Sequence, residues 1–239
     1  MQYSNVIPGR FVSRPNRFLA QVKTADGVQT CHVKNTGRCA ELLLPGAPVW
    51  LQRFGTDAKR KTKFDLIAVQ KGALLLNIDS QAPNAAAREF LASGGLGWIP
   101  SVLRPEYTWG DSRFDFYLEH GGRRCLAEVK GVTLEEDGTA LFPDAPTLRG
   151  IKHLEGLSRA AAQGFACCVL FVVQFSPAAA FAPNRRTHPA FADALRAARD
   201  AGVRVLAYDC AVTPESMVLR APVPVTGRSE EHTSELQSP

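Results

Sequence analysis

Residues 113–130, RFDFYLEHGGRRCLAEVK, predict a β-hairpin whose two faces have opposite chemistry. The glycine pair at 121–122 suits the two-residue turn of a tight hairpin, and this turn fixes which residues face each other. In that register one face is entirely apolar, which opposes a slip of one residue. Its predicted pairs are Phe114 with Val129, Phe116 with Ala127 and Leu118 with Cys125.

The same register places Asp115 directly opposite Glu128 on the second face, with Cβ atoms about 5 Å apart. Like charges so close destabilise a sheet unless a cation lies between them, and Mg²⁺ binds one or two carboxylates together with water and substrate phosphate. Lys130 shares the face of Glu128, because residues two apart in a strand point the same way. It would hold or deprotonate an attacking water. The alternative is an ordinary solvated face, on which Lys130 and Arg113 form diagonal ion pairs with the two acids.

The flanking segments predict an α/β arrangement around this hairpin. A short helix with Asn84 as its cap precedes the hairpin, and a longer helix, capped by Asp144 or Thr147, follows it and stops at Gly164. The order of helix, three strands, helix and strand matches the common core of PD-(D/E)XK nucleases, in which an Asp and a Glu-x-Lys lie on adjacent strands. The predicted elements are helix 83–93, strand 104–109, the hairpin, helix 146–164, strand 165–175, helix 188–201 and strand 203–209.

Residues 1–80 carry 12 Lys and Arg against 5 Asp and Glu, whereas residues 81–227 carry 15 of each. A concentrated positive charge is the expected footprint of phosphate binding, so the first region is predicted to bind nucleic acid. Its pattern of five short strands with one intervening helix fits an OB barrel. The strands are predicted at 18–24, 27–34, 47–54, 64–70 and 73–78, and the helix at 35–44, capped by Asn35 or Thr36.

Candidate phosphate contacts are basic side chains of this first region and of the helix after the hairpin. For any single residue the alternative is a solubilising loop or an exposed polar helix face. Phe11 and Phe18 are candidates for stacking against bases. The basic candidates are Arg10, Arg14, Arg17, Lys34, Arg38 and Lys61, the last in a cluster with Lys59, Arg60 and Lys63, and Arg149, Lys152 and His153 on one helix face.

Three blocks, HVKNTGRCAELLLPGAPVWL, SRFDFYLE and LAEVKGVTLEEDGTALFPDAPTLRGIKHLEGL, resemble the sugar fermentation stimulation protein A family, and the likeness spans residues 10–219. The resemblance implies an N-terminal OB-fold over residues 1–80, a PD-(D/E)XK nuclease-like α/β domain over 81–227, DNA binding, and a link to maltose metabolism. Carried onto this chain, the nuclease motif implies catalytic roles for Asp115, Glu128 and Lys130, with Asp115 and Glu128 as Mg²⁺ ligands. Glu89 and Glu106 are possible additional acids.

Two functions follow as alternatives. One is a sequence-nonspecific, Mg²⁺-dependent nuclease acting on DNA, and on RNA or single strands as further substrates. The other is a non-catalytic DNA-binding regulator of sugar metabolism that uses the nuclease-like domain structurally. The six cysteines form no Cys-x-x-Cys pair, so neither zinc nor a disulfide framework is expected. The absence of an apolar leader predicts a cytoplasmic protein with no membrane partner.

The last segment, residues 228–239, is excluded from the fold prediction. RSEEHTSELQS is the translation of a common sequencing-adapter sequence, so we interpret the segment as an artefact and expect it to be disordered. Without its one Arg and three Glu, the net charge changes from +5 to +7.

Overall fold

Strands of the first region close into a barrel, which confirms the predicted OB-type architecture. The strands are β1 (Val6–Asn16), β2 (Leu19–Thr24), β3 (Gly27–Val33), β4 (Pro48–Arg53), β5 (Phe64–Lys71) and β6 (Leu74–Asn77). In the computed structural model, which describes residues 1–35, 37, 39–55 and 60–226, β1 pairs with β2 and β4. A parallel pairing of β3 with β5 closes the five-stranded ring, and β6 extends from β5 outside it.

The ring uses a different set of five strands from the predicted set. Sequence pattern does not predict β1, because Phe11 is its one buried residue and Pro8 and Pro15 interrupt the alternation. The predicted fifth strand, 73–78, is β6 and lies outside the ring. The barrel therefore begins earlier and closes earlier than its sequence pattern indicates.

The helix predicted at 35–44 is wrong for the described part of that segment, which contains only a turn at residues 40–42. Cys39 has a φ of +45°, outside the helical region. Arg14 donates hydrogen bonds to the carbonyls of Asn35 and Gly37, at 2.9 and 3.0 Å, so these carbonyls serve a tertiary contact instead of a helix. The predicted cap at Thr36 and the candidate contact Arg38 lie outside the described residues.

The second unit is a mixed α/β layer structure around a sheet of order β15-β14-β12-β9-β8-β7. A small sheet of β10, β11 and β13 lies beside it, and neither that sheet nor β15 is predicted from the sequence. The elements are α1 (Ala82–Ala92), β7 (Val102–Trp109), β8 (Ser112–His120), β9 (Arg123–Val132), β10 (Leu134–Glu136), β11 (Thr139–Phe142), α2 (Leu148–Ala162), β12 (Ala166–Val173), β13 (Ala180–Pro183), α3 (Pro189–Asp200), β14 (Arg204–Thr213) and β15 (Ser216–Pro222).

Helices cover both faces of the main sheet, as the continuous apolar sequence of β12 predicts. Leu170 and Val172 belong to the apolar cluster that contains α1, whereas Val169 and Phe171 belong to the cluster that contains α2 and α3. The strands β9, β12 and β14 are parallel neighbours. The predicted α/β layering is therefore confirmed.

The N-terminal cap predicted for α2 is present, whereas the cap predicted for α1 is not. The Thr147 hydroxyl accepts the Gly150 N–H at 3.0 Å, which confirms the predicted cap of α2. Gly164, with a φ of +85°, follows its end. The predicted Asn84 cap is wrong, since Asn84 lies inside α1 and its side chain has another partner.

The two units share one apolar cluster and a set of polar contacts. Gln174, just after β12, accepts the Asn77 N–H at 2.9 Å and donates its side-chain amide to the Asn77 carbonyl at 2.9 Å. No helix among the described residues is long and apolar enough to cross a bilayer. The prediction of disorder for residues 228–239 concerns residues outside the described ranges.

Candidate active site

The β8–β9 hairpin forms in the predicted register near its turn and departs from it at the site. Backbone pairs run from His120–Arg123 back to Phe116–Ala127, and Gly121 and Gly122 both have positive φ, as a type I′ turn requires. The paired segment stops there, so the prediction that Asp115 and Glu128 are cross-strand partners is wrong. Opening the ladder at this point releases backbone and side-chain groups for other contacts.

Asp115 lies where the two strands separate, and its carboxylate takes the place of a backbone partner. Its Oδ2 accepts the Val129 N–H at 2.7 Å, and its Oδ1 accepts the Asn84 side-chain amide at 2.8 Å. Burial and the charge of Glu128 raise the pKa of Asp115, and these two effects outweigh its hydrogen bonds and the charge of Lys130. The fold therefore holds a carboxylate whose charge is opposed by its surroundings.

Glu128 is almost completely buried, at 2% exposure, and only one of its oxygens is satisfied. Oε1 receives Lys130 Nζ at 2.6 Å and a very short contact from His153 Nδ1. Oε2 is buried without a hydrogen-bond partner among the described residues. Burial would raise the pKa of Glu128, but the His153 hydrogen bond and the Lys130 charge outweigh it, so the pKa is lowered. A buried, ionised oxygen without a partner is expensive unless a cation or donor reaches it.

His153 has a different place from the predicted one. The sequence prediction gives it a phosphate contact, and its alternative is an exposed helix face, but the structure buries it at 6% exposure against Glu128. Arg149 Nε donates to its Nε2 at 3.5 Å, so the proton lies on Nδ1 and is donated to Glu128. His153 therefore orients the acid instead of facing solvent.

The sequence contains one signal for this contact, which is the glycine three residues after His153. A Cβ atom at Gly156 would lie 3.0 Å from Phe114 Cζ and 3.1 Å from Ser112 Oγ, so the helix α2 approaches β8 closely at this glycine. Residues three apart lie on the same side of a helix, so the same approach carries His153 to Glu128. Only the packing of α2 on the sheet identifies its partner.

Several of the basic candidates are exposed on the described surface. Arg17 is exposed and lies 4.6 Å over the Phe18 ring, and Arg10 is exposed and donates to the Gly46 carbonyl at 3.2 Å. Lys61 is exposed. Phe18 is 46% exposed, whereas Phe11 is buried in the barrel and cannot stack on a base.

Arg14 and Lys34 have partners within the protein, and their assignment as phosphate contacts stays a prediction. Among the described residues, Arg14 donates to the backbone carbonyls of residues 17, 35 and 37. Lys34 Nζ lies 3.1 Å from Asp65 and 2.9 Å from Asp79, both buried acids. Their cations are already used to satisfy groups of the protein itself.

Of the remaining basic candidates, some are exposed on the surface and others form ion pairs. Arg60 pairs with Asp65 and lies over the Phe54 ring at 3.9 Å, Lys63 is exposed, and Lys59 falls outside the described residues. Arg149 and Lys152 are exposed on α2, and Lys152 lies 3.5 Å from Asp111. The two additional acids have other partners: Glu89 binds the N-terminal amine at 2.6 Å, and Glu106 lies 3.7 Å from Arg113.

The residues present fit a hard divalent cation bound mainly by oxygen. In the described ranges, no three His, Cys, Asp or Glu side chains lie together as a complete protein cage. Asp115 and Glu128 are two carboxylates, and Mg²⁺ commonly takes that number and completes its shell with water and phosphate. The unpartnered Oε2 of Glu128 is a ligand atom that the protein itself leaves unused.

Replacing Asp115 with asparagine is expected to stabilise the metal-free protein at neutral pH. An acid whose folded pKa is raised adds stability only below its ordinary pKa, and this contribution is lost as pH rises through the folded pKa. At neutral pH the Asp115 charge therefore opposes folding. Chemical unfolding in EDTA between acidic and neutral pH measures the effect, and the gap between variant and wild type should widen as pH rises. A variant that is less stable than wild type at neutral pH contradicts this assignment.

Comparison with known proteins identifies the family. A family model described as the SfsA N-terminal OB domain matches residues 12–78, and one described as the sugar fermentation stimulation protein RE domain matches residues 81–216. The chain belongs to the sugar fermentation stimulation protein family. This confirms the resemblance seen in the sequence.

Relatives in this family align with the chain over nearly its whole length. A sugar fermentation stimulation protein homolog of Desulfitobacterium hafniense is 52% identical over 217 residues, which covers 91% of this chain and 94% of the relative. A homolog of Clostridium beijerinckii is 45% identical, over 92% of this chain and 97% of the relative. The solved structure described as Pyrococcus furiosus SfsA in complex with Ca²⁺ superposes with a TM-score of 0.84 at 25% identity, covering 95% of this chain and 98% of that one.

Proposed function

We propose that this member of the family is a sequence-nonspecific, Mg²⁺-dependent nuclease with a PD-(D/E)XK-type site. The observation that carries the proposal is Glu128, whose Oε2 is buried without a hydrogen-bond partner in the part of the chain that the structure describes, while its Oε1 binds Lys130 at 2.6 Å. With Asp115 at the neighbouring strand opening, these three residues are the Asp and Glu-x-Lys set of that motif. Six buried free cysteines support a location in the reducing cytoplasm.

Each residue has a chemical role in the proposed reaction. Held by Asp115 and Glu128, Mg²⁺ would polarise the scissile phosphate and lower the pKa of a water molecule. Lys130 would orient that water and offset negative charge on the phosphate. His153 holds the Glu128 carboxylate in one orientation, which is the contribution expected of a group that supports a metal ligand.

Two further observations support a divalent cation and a polyanionic substrate. The Pyrococcus furiosus SfsA structure is described as a Ca²⁺ complex, and Ca²⁺ and Mg²⁺ both prefer oxygen ligands. The first 80 residues carry 12 basic against 5 acidic residues. That excess would hold the nucleic acid while the nearly neutral second unit acts on it.

The test is a cleavage assay with the tail-free protein on plasmid, single-stranded DNA and RNA, in Mg²⁺ or EDTA. We expect cleavage in Mg²⁺, loss of cleavage in EDTA, and a loss of about 100-fold or more for Asp115→Asn because an electrostatic contribution to the reaction is removed. Asp137→Asn removes the same charge at an exposed turn and serves as the matched control. Equal cleavage by wild type and Asp115→Asn, or no cleavage of any substrate, defeats the proposal.

A second candidate is a DNA-binding regulator without catalysis, and the exposed cations of the barrel favour it as an activity in its own right. Arg10, Arg17 and Lys61 are exposed, and Phe18 is accessible beside Arg17. Binding through such contacts should weaken steeply as salt rises. A gel shift in EDTA with that salt dependence, combined with no cleavage in Mg²⁺, would favour this candidate over the nuclease.

A further inference from the structure

A cleft of about 150 Å³ lies between the two units, and residues next in sequence to Lys130 and Asn84 line it. Gly131, the residue after Lys130, lines the cleft, and so does Pro83, the residue before Asn84. A Cβ atom at Gly131 would lie 2.7 Å from Pro83 Cγ, so these two segments are in close contact. The segments that carry the site residues therefore also form a wall of the cleft.

The chemistry of the cleft suits a flat ring with N–H groups better than a phosphate. Asn35 and Ser80 line it from the barrel side, and Thr133, Phe142 and Asp144 line it from the other side. None of the described lining residues is a lysine or arginine, and the Asp144 carboxylate among them would repel a phosphate. A nucleobase has apolar faces, and its exocyclic amines and ring N–H groups donate to carboxylates.

Side-chain contacts link the barrel side of the cleft to the exposed ring of Phe18. Arg14 donates to the carbonyls of Asn35 and Gly37 at the cleft, at 2.9 and 3.0 Å. The same guanidinium donates at 2.7 Å to the carbonyl of Arg17, whose own guanidinium covers the Phe18 ring. One side chain therefore connects the cleft edge to a surface on which a base can stack.

We propose that the cleft between the units binds one unpaired nucleobase, with Asp144 accepting hydrogen bonds from its N–H groups, and that the substrate is single-stranded nucleic acid. The proposal rests on the proposed nuclease function for its role, because the segments that line the cleft at Gly131 and Pro83 are continuous with those that carry Lys130 and Asn84. A base in a duplex would first have to leave its stack, at an unpairing cost that a single strand does not have. Single strands offer their bases directly to aromatic and polar groups.

The test measures binding without cleavage, by fluorescence anisotropy in EDTA with labelled oligodeoxycytidine and a duplex of the same length. Wild type is expected to bind oligodeoxycytidine more tightly than the duplex. Asp144→Asn should weaken oligodeoxycytidine binding about tenfold, the scale of one good carboxylate–base contact, and leave duplex binding unchanged. Asp200→Asn, an exposed acid at the end of α3, is the matched charge control, and equal thermal midpoints establish that each variant is folded.

Three outcomes overturn the proposal: equal oligodeoxycytidine affinity for wild type and Asp144→Asn, equal affinity of wild type for duplex and single strand, or no binding to any oligonucleotide. Failure of the nuclease proposal has a separate readout. If single-strand binding depends on Asp144 but the protein cleaves nothing in Mg²⁺, the proposed base site stands and the proposed nuclease function fails.

Discussion

Glu128→Gln is expected to lower the cleavage rate by about two to three orders of magnitude, because under the proposed function it removes the charge of a residue that would hold Mg²⁺. Glutamine keeps the shape of the side chain, and its oxygen can still accept from Lys130 and His153. Its amide nitrogen would then stand where the unpartnered Oε2 lies, and present N–H donors toward the position of a cation. Single-turnover cleavage and calorimetric titration with Ca²⁺ measure the two consequences.

The comparison for this variant is Glu155→Gln, which removes the same charge from the exposed face of α2, two residues after His153. Glu155→Gln should cleave and bind Ca²⁺ as wild type does. If Glu128→Gln binds Ca²⁺ with wild-type affinity, Glu128 is not a ligand of the cation. If it also cleaves normally, the site lies elsewhere on the molecule.

Lys34→Met is expected to destabilise the protein by about 3–5 kcal/mol, the cost of removing one partner from a buried ion-pair network. Lys34 lies between Asp65 and Asp79, which are 0% and 2% exposed. Burial alone would lower its pKa, but the hydrogen bonds and charges of these two acids raise it. Methionine keeps much of the side-chain volume, removes the cation from Asp79 and leaves Asp65 paired with Arg60. Denaturant unfolding at neutral pH measures the loss.

This network also joins the two units. Asp79 accepts the Tyr3 hydroxyl at 3.2 Å and the Gln81 N–H at 2.9 Å, at the connection from the barrel to α1. Lys23→Met, at an exposed position of β2, is the matched control and should change stability little. Loss of less than about 1 kcal/mol for Lys34→Met would mean that the pair behaves like a surface salt bridge.

The β8–β9 hairpin shows which structural features a periodic sequence pattern can predict. Turn chemistry and alternation predict its turn and its register from Phe116 outward, because both depend on neighbouring residues in one strand pair. They do not predict the opening at Asp115. At that opening Asp115 accepts a hydrogen bond from Asn84, which belongs to a helix earlier in the chain and is not specified by the hairpin sequence.

The basic residues illustrate a different limit. Composition predicts the positive excess of the first 80 residues, since charge can be counted without a fold. It does not distinguish Arg17, which is exposed, from Arg14 and Lys34, whose donors satisfy carbonyls and buried acids. Whether a basic side chain is available to bind phosphate depends on which acceptors, from distant positions in the chain, lie next to it in the fold.

The sequence by itself determined the family, the order of an OB barrel and an α/β unit, the apolar face near the hairpin turn, and the residue types at Asp115, Glu128 and Lys130. These features follow from local periodicity, turn chemistry and family-specific blocks. The tertiary structure alone decided that His153 meets Glu128, that one oxygen of Glu128 is left without a described partner, and that the two units enclose a cleft lined by Asn35 and Asp144. Each of these is a contact between segments far apart in the chain, and only packing determines which distant groups meet.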